Sequence, residues 1–161
     1  MTSELKEDEF DAILLLGNTL SSFLVIDDIK RCLKQLFQKL KPGGILLIDE
    51  RNFKKITSNK DEIFGKPELF YTKFYSAEYI YCGTDVRGWP EEIEDKKIIF
   101  KYARKESPEF GPRIPMYNFK EGEMEKILRN TGFINTRKFS DFKPDLNENA
   151  DFFIYKTYRP T

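Results

Sequence analysis

Two short polar clusters stand where apolar runs end, and most of the chemistry this sequence offers is in them. Gly17-Asn18-Thr19 follows Phe10-Asp11-Ala12-Ile13-Leu14-Leu15-Leu16, and Asp49-Glu50-Arg51-Asn52 follows Ile45-Leu46-Leu47-Ile48. At the first cluster, glycine lets a backbone approach a ligand closely, and asparagine offers two donors and an acceptor. The same residues read equally as a turn with an Asx cap. At the second, the Arg51 fork suits bidentate capture of a carboxylate, or a salt bridge to a neighbouring acid. Tyr71, Tyr75, Tyr79, Tyr81, Tyr102 and Tyr117 read mostly as packing. Tyr117, just before a helix that returns the chain to the sheet, is the best placed to line a small pocket.

Other chemistries are excluded by composition. The chain has 161 residues and no histidine, so Ser-His-Asp and Cys-His triads and histidine metal sites are out. Its two cysteines, Cys32 and Cys82, make neither a metal-ligand pair nor a disulfide framework, and read as reduced thiols of an intracellular protein. No glycine-rich phosphate loop is present, and the adjacent pair Gly43-Gly44 stands at a helix end, where it serves turning. Lysine plus arginine and aspartate plus glutamate both total 27, so charge gives no argument for nucleic acid or an anionic membrane as partner. The apolar runs fall far short of the roughly 20 residues a bilayer span needs. The acidic N-terminus has no signal-peptide core, and the expectation is a cytoplasmic protein.

The elements that must position the two clusters are legible. The first apolar run is a short strand, continuous enough to suggest burial on both faces in a parallel sheet. Ile29, Cys32, Leu33, Leu36, Phe37 and Leu40 form one helical stripe, with Asp27 or Asp28 as cap and Lys41-Pro42-Gly43-Gly44 as stop. Ile45 to Asp49 is the second strand. Strand, helix, strand makes a right-handed βαβ unit, which puts both clusters on the carboxyl edge of one sheet, where ligands bind in open α/β sheets. Residues 70–119 read as an antiparallel insertion within a single 1–161 domain, with strands at 70–75, at 78–81 and around Ile98-Phe100-Tyr102, and a loop from Asp85 to Asp95. A second helix is expected over Lys120–Thr131, opened by an Asn118/Glu121 capping box and closed by Gly132. Phe133–Phe142 and Asp151–Tyr158 are expected as a closing antiparallel pair.

The succession Phe10-Asp11-Ala12-Ile13, Leu40-Lys41-Pro42-Gly43-Gly44-Ile45-Leu46-Leu47-Ile48-Asp49 and Thr131-Gly132-Phe133 resembles a class I S-adenosylmethionine-dependent methyltransferase. Leu16-Gly17-Asn18-Thr19-Leu20 and Asp49-Glu50-Arg51-Asn52-Phe53 look most like the glycine/sarcosine N-methyltransferase branch, where Leu-Gly-Asn-Ser-Phe follows strand 4 and Asp-His-Arg-Asn-Tyr follows strand 5. The resemblance covers roughly residues 5–158 and only the C-terminal part of the family's domain. It implies an α/β fold with strands 4, 5, 7 and 6 of the Rossmann-like sheet and an antiparallel insertion. Leu16, Gly17 and Asn18 would flank the cofactor, S-adenosylmethionine. Asn18, Arg51 and Tyr117 would hold the substrate, with Arg51 on a carboxylate. The family's histidine after its Asn-Ser-Phe stretch has no counterpart, Ser22 standing near it, which points away from glycine itself as acceptor.

The implied activity is methyl transfer to a small amine or amino-acid nitrogen, with no catalytic acid or base and no metal. The resemblance also implies that Met1 stands where relatives have an internal methionine, and that the glycine-rich loop and the ribose-gripping acid precede this chain. The cofactor would then need that N-terminal part, and a non-catalytic remnant or partner-binding α/β domain is the alternative reading. Residues 12–16 would lie beside the family's strand 1, so pairing with a second copy or with the N-terminal part is expected there.

Overall fold

The computed structural model describes residues 9–63, 86–104, 106–107 and 109–161. They form two compact units, one of residues up to Asn52 and from Phe119 onward, the other Phe53–Asn118.

In the first unit, β1 (Phe10–Leu15), α1 (Ile26–Lys39) and β2 (Leu40–Arg51) are the expected βαβ unit, β1 and β2 being parallel with Leu14 opposite Leu47 and Leu15 opposite Ile48. A single-turn 3-10 helix, Thr19–Ser22, lies between β1 and α1. The chain returns through α4 (Glu123–Thr131) to β6 (Ile134–Ser140) and β7 (Phe152–Tyr158). The sheet order is β1-β2-β7-β6, with β7 antiparallel to both β2 and β6. This is the expected 4-5-7-6 order.

Helix α1 buries Ile29, Leu33 and Leu36, and α4 buries Met124, Ile127 and Leu128. The helices lie against one another, and Leu46 and Ile48 of β2 are fully buried. At the far end of α1, Phe37 meets Phe133 edge-on at 5.0 Å, and the Arg159 guanidinium sits 5.1 Å over the Phe37 ring while donating to the carbonyls of Phe37 and Leu40. A cation on the last carbonyls of a helix satisfies acceptors that have no intrahelical donor.

Several expectations are corrected. Strand β1 is not buried on both faces: Leu14 is 61% exposed, Leu16 just beyond the strand is 39% exposed, and among the described residues β1 is also an edge strand of this sheet. Asp27 and Asp28 do not cap α1. The helix starts after Val25, and both acids sit in its first turn, paired with Lys30 and Arg31. The Pro42-Gly43-Gly44 turn interrupts a strand already begun at Leu40, so the partner register jumps from Phe10–Leu40 to Ala12–Ile45 and Gly43 takes φ 77°. Asn118 and Glu121 form no capping box. Gly122 precedes α4 at φ 75°, and the Asn118 amide donates instead to the carbonyls of Glu94 and Asp95. The last strand pair is shorter at one end than expected, because Asp141 and Phe142 take positive φ in the turn after Ser140.

In the second unit, α2 (Phe53–Ser58) and α3 (Lys60–Ile63) precede a three-stranded antiparallel sheet, β3 (Val86–Ile93), β4 (Lys97–Arg104) and β5 (Arg113–Tyr117), in that order. The segment expected as a loop from Asp85 is therefore largely strand. Among the described residues β3 lies at the edge of this sheet, and its register shifts between Pro90 and Glu92, the setting in which a strand tolerates proline. Ile98 and Phe100 point to a buried face and Ile99 and Lys101 to a half-exposed one, as their alternation required. The expected strands at 70–75 and 78–81, with Tyr71, Tyr75, Tyr79, Tyr81 and Cys82, lie outside the described residues.

The buried stripe of α1 sets a first prediction. Leu33→Ala should lower unfolding free energy by about 2–5 kcal/mol, whereas Leu24→Ala, at a half-exposed position, should stay within about 0.5 kcal/mol. Urea unfolding followed by circular dichroism measures both, and equal effects would show that α1 is not seated as described.

Candidate functional site

Gly17 and Asn18 leave β1 in left-handed conformations, φ 81° and φ 59°. Glycine adopts this at no steric cost, and asparagine is among the side chains that tolerate it best. The turn is held from the neighbouring strand. Asp49, near the end of β2, accepts the Gly17 backbone N–H on Oδ2 at 3.0 Å and the Asn18 N–H on Oδ1 at 2.7 Å. Asn18 answers in the other direction, its Oδ1 accepting the Arg51 backbone N–H at 3.1 Å. Asn18, Asp49 and Arg51 are all buried. These contacts close the exits of β1 and β2 into one piece of structure.

The Arg51 guanidinium carbon lies 5.2 Å over the Phe152 ring, its direct partner across the β2–β7 pair. An aromatic face is suited to a weakly hydrated guanidinium. Next to it, Asn52 donates through Nδ2 to the carbonyls of Glu148 and Ala150, at 2.8 and 2.9 Å, and its own N–H donates to Asp151 O. Asp141 accepts the N–H groups of Asp151 and Phe152. The loop between β6 and β7 is thus tied to the end of β2, beside Arg51.

The structure therefore brings together Leu16, Gly17, Asn18 and Arg51. Tyr117 lies on the other unit, buried at the end of β5 opposite Lys97. The sequence places Asp49 and Asn52 in the second cluster without giving either a role, although they carry the geometry. The available signal was a carboxylate directly after four apolar strand residues, a place where burial is costly unless donors converge. Cys32 offers no alternative nucleophile, since burial pushes its thiol above the ordinary value and so keeps it protonated. Among the described residues there is no cluster of three metal-ligating side chains and no helix long and apolar enough to cross a membrane.

Removing the Asp49 carboxylate tests this arrangement. Asp49→Ala leaves two backbone donors without their acceptor, at a cost of roughly 2–4 kcal/mol. Asp49→Asn, which keeps one carbonyl acceptor, should lose less. Denaturant unfolding ranks the two, and a reversed order would contradict the double acceptance.

No protein-family model matches the chain. It is 31% identical over 155 residues to the glycine/sarcosine/dimethylglycine N-methyltransferase of Actinopolyspora halophila, a match covering 94% of this chain and 25% of that protein. It is 27% identical over 155 residues to the glycine/sarcosine N-methyltransferase of Parasynechococcus marenigrum, covering 94% and 50%. The chain thus spans between a quarter and half the length of these curated relatives. A solved S-adenosylmethionine-dependent methyltransferase from Clostridium acetobutylicum superposes with a TM-score of 0.68 at 17% identity, covering 99% of this chain and 62% of that one. By sequence and by fold, then, this chain is similar to the C-terminal part of a class I S-adenosylmethionine-dependent methyltransferase, with glycine/sarcosine N-methyltransferases among its relatives.

Proposed function

We propose that this chain is the acceptor-binding part of an S-adenosylmethionine-dependent methyltransferase acting on the nitrogen of a small amine or amino acid. The observation that carries the reading is the joined exit of β1 and β2, where Asp49 holds the Gly17 and Asn18 amides and Asn18 holds the Arg51 amide. Arg51 takes the acceptor's carboxylate, and Asn18, anchored through Oδ1, contributes amide donors. The resemblance adds Tyr117 as a substrate-side tyrosine.

The turn fits its cofactor role. A Cβ at Gly17 would meet nothing within 4 Å, so open space lies beside that backbone, and Leu16 is part-exposed next to it. Leu16, Gly17 and Asn18 would border the methionine end of S-adenosylmethionine. When bound, that cofactor supplies a sulfonium methyl group that is already a strong electrophile. The chain's own task is to hold the acceptor so that its neutral nitrogen faces that methyl in line, in a site sheltered from water. No side chain here is assigned as acid or base, and none is needed for the transfer itself. The ribose-binding acid and the glycine-rich loop belong to the part of the relatives that this chain does not match.

Among the described residues β1 is an edge strand, which supports a partner contact along residues 12–16, either with a second copy or with that N-terminal part. Leu14 and Leu16 are the apolar surface it would cover.

Three measurements bear on this reading. Calorimetry should detect no S-adenosylmethionine binding by the chain alone, and binding once the N-terminal part of a relative is supplied. Absence of binding in the second case would favour a partner-binding domain without chemistry. In that completed protein, Arg51→Ala should raise the acceptor's dissociation constant roughly 30- to 100-fold, the worth of a charged bidentate contact of about 2–3 kcal/mol. A change in cofactor affinity instead would reverse the assignment. Leu14→Lys should lower the mass seen by light scattering if copies pair along β1, and an unchanged oligomer would place the contact elsewhere.

A further inference from the structure

Phe152, over whose ring the Arg51 guanidinium lies, is the first residue of β7, where strand pairing runs out. On the β2 side it still faces Arg51 in register. On the β6 side the strand has already ended: Ser140 faces Phe153, and Asp141, next in line for Phe152, is left-handed at φ 48°. Phe142 follows at φ 57°, a conformation that bulky side chains rarely adopt. The Lys143 N–H closes this turn on the Ser140 carbonyl at 2.8 Å. In a hydrogen-bonded antiparallel pair each residue gives its N–H to the other's carbonyl. Asp141 keeps half of that exchange, donating its N–H to the Phe152 carbonyl at 3.0 Å. Its side chain supplies the other half. Oδ1 accepts the Phe152 N–H at 2.9 Å and the Asp151 N–H at 3.0 Å. One residue therefore grips both polar groups of the Phe152 backbone, while the Asn52 N–H holds the Asp151 carbonyl from β2 at 2.9 Å.

We propose that Asp141 is a positioning residue for Arg51: by holding the Phe152 backbone it sets the ring on which the guanidinium is ordered before the acceptor arrives. This rests on the reading of Arg51 as the ligand of the acceptor's carboxylate. The ring suits the task because of how it attracts. A guanidinium over an aromatic ring gains from the charge distribution of the ring face, whereas a carboxylate is taken by the N–H fork in the guanidinium plane. Platform and acceptor thus call on different parts of one cation. Ordering a long side chain only at the moment of binding weakens a complex roughly 2- to 10-fold, and a ring that orders it beforehand removes that penalty. The left-handed turn fits the same task. Strained backbone persists where the surroundings hold it, and here it brings the Asp141 carboxylate to the two amides at the start of β7.

The test is NMR of the whole chain with the Arg51 side-chain protons assigned and acetate as the probe carboxylate, its binding followed at the Asn18 amide. The Phe152 ring should shift the Arg51 Hδ and Hε signals upfield. Phe152→Leu should abolish that shift and weaken acetate roughly 2- to 10-fold. Asp141→Gly keeps the left-handed turn without strain and removes the carboxylate. It should reduce the upfield shift and weaken acetate in the same sense, and Asp141→Asn, which retains an Oδ1 acceptor, should restore both. A residue that only staples the β6–β7 loop would lower Tm in Asp141→Gly and leave the Arg51 signals in place, and that result would overturn the proposal. So would Arg51 signals without an upfield shift in the unsubstituted chain, or an Asp141→Asn chain as impaired as Asp141→Gly. Should Asp141→Gly not fold, Asp141→Asn and Phe152→Leu still carry the comparison. An acetate affinity unchanged in Arg51→Ala would instead overturn the carboxylate reading on which the proposal rests, and is told apart by Arg51 signals that still follow Phe152 and Asp141.

Discussion

The site depends on one carboxylate accepting two backbone amides. A left-handed pair at Gly17 and Asn18 is no resting state for a chain leaving a strand, and local sequence alone would let it open. Asp49 makes it the preferred state by offering both oxygens to the N–H groups that this conformation turns toward β2. The contact is worth more than its two hydrogen bonds suggest, because charge-assisted bonds strengthen in a shielded setting. Once the turn is fixed, Asn18 Oδ1 is at the distance of the Arg51 amide, and the position of Arg51 along β2 follows. The parallel register of β1 and β2 is the prerequisite, since it alone brings residues more than 30 positions apart to the same edge.

Periodicity made the framework readable. The α1 stripe comes from the spacing that burial on one side imposes, the two central strands from unbroken apolar runs, and each forms the expected element, as does the closing antiparallel pair. The failures were local. Asp27 and Asp28 fall inside the first turn of α1 and pair with Lys30 and Arg31, and Asn118 lies ahead of the Gly122 cap of α4 and donates to the carbonyls of Glu94 and Asp95. Competition among polar partners is settled by tertiary geometry, which spacing does not encode. Residues 85–95 read as a loop, whereas most of them form β3, which among the described residues is a bulged edge strand with no need of an N–H at Pro90.

The candidate site was legible as residue types and illegible as a structure. Gly17, Asn18 and Arg51 drew attention through what they can bind. Asp49, which holds Gly17 and Asn18, and Asn52, which holds the β6–β7 loop, did not, because their roles exist only across 31 to 98 positions of sequence. The exposure of Leu14 is another such case. An apolar run reads as a strand with both faces covered, and whether a neighbour covers it is a property of the whole sheet rather than of the run.

The end of β2 also poses a problem that four consecutive residues solve in four ways. Asp49, Glu50, Arg51 and Asn52 are all buried, where each polar group requires a compensating interaction. Asp49 is met by backbone amides from β1. Arg51, on the same face, lies over the ring of Phe152. Asn52 is met by carbonyls of the β6–β7 loop. Glu50, on the opposite face, is pushed up to about 8 chiefly by burial, so a proton is its compensation at neutral pH. Strand alternation is what separates these solutions, placing the residues suited to a ligand on one side and the acid that must stay neutral on the other.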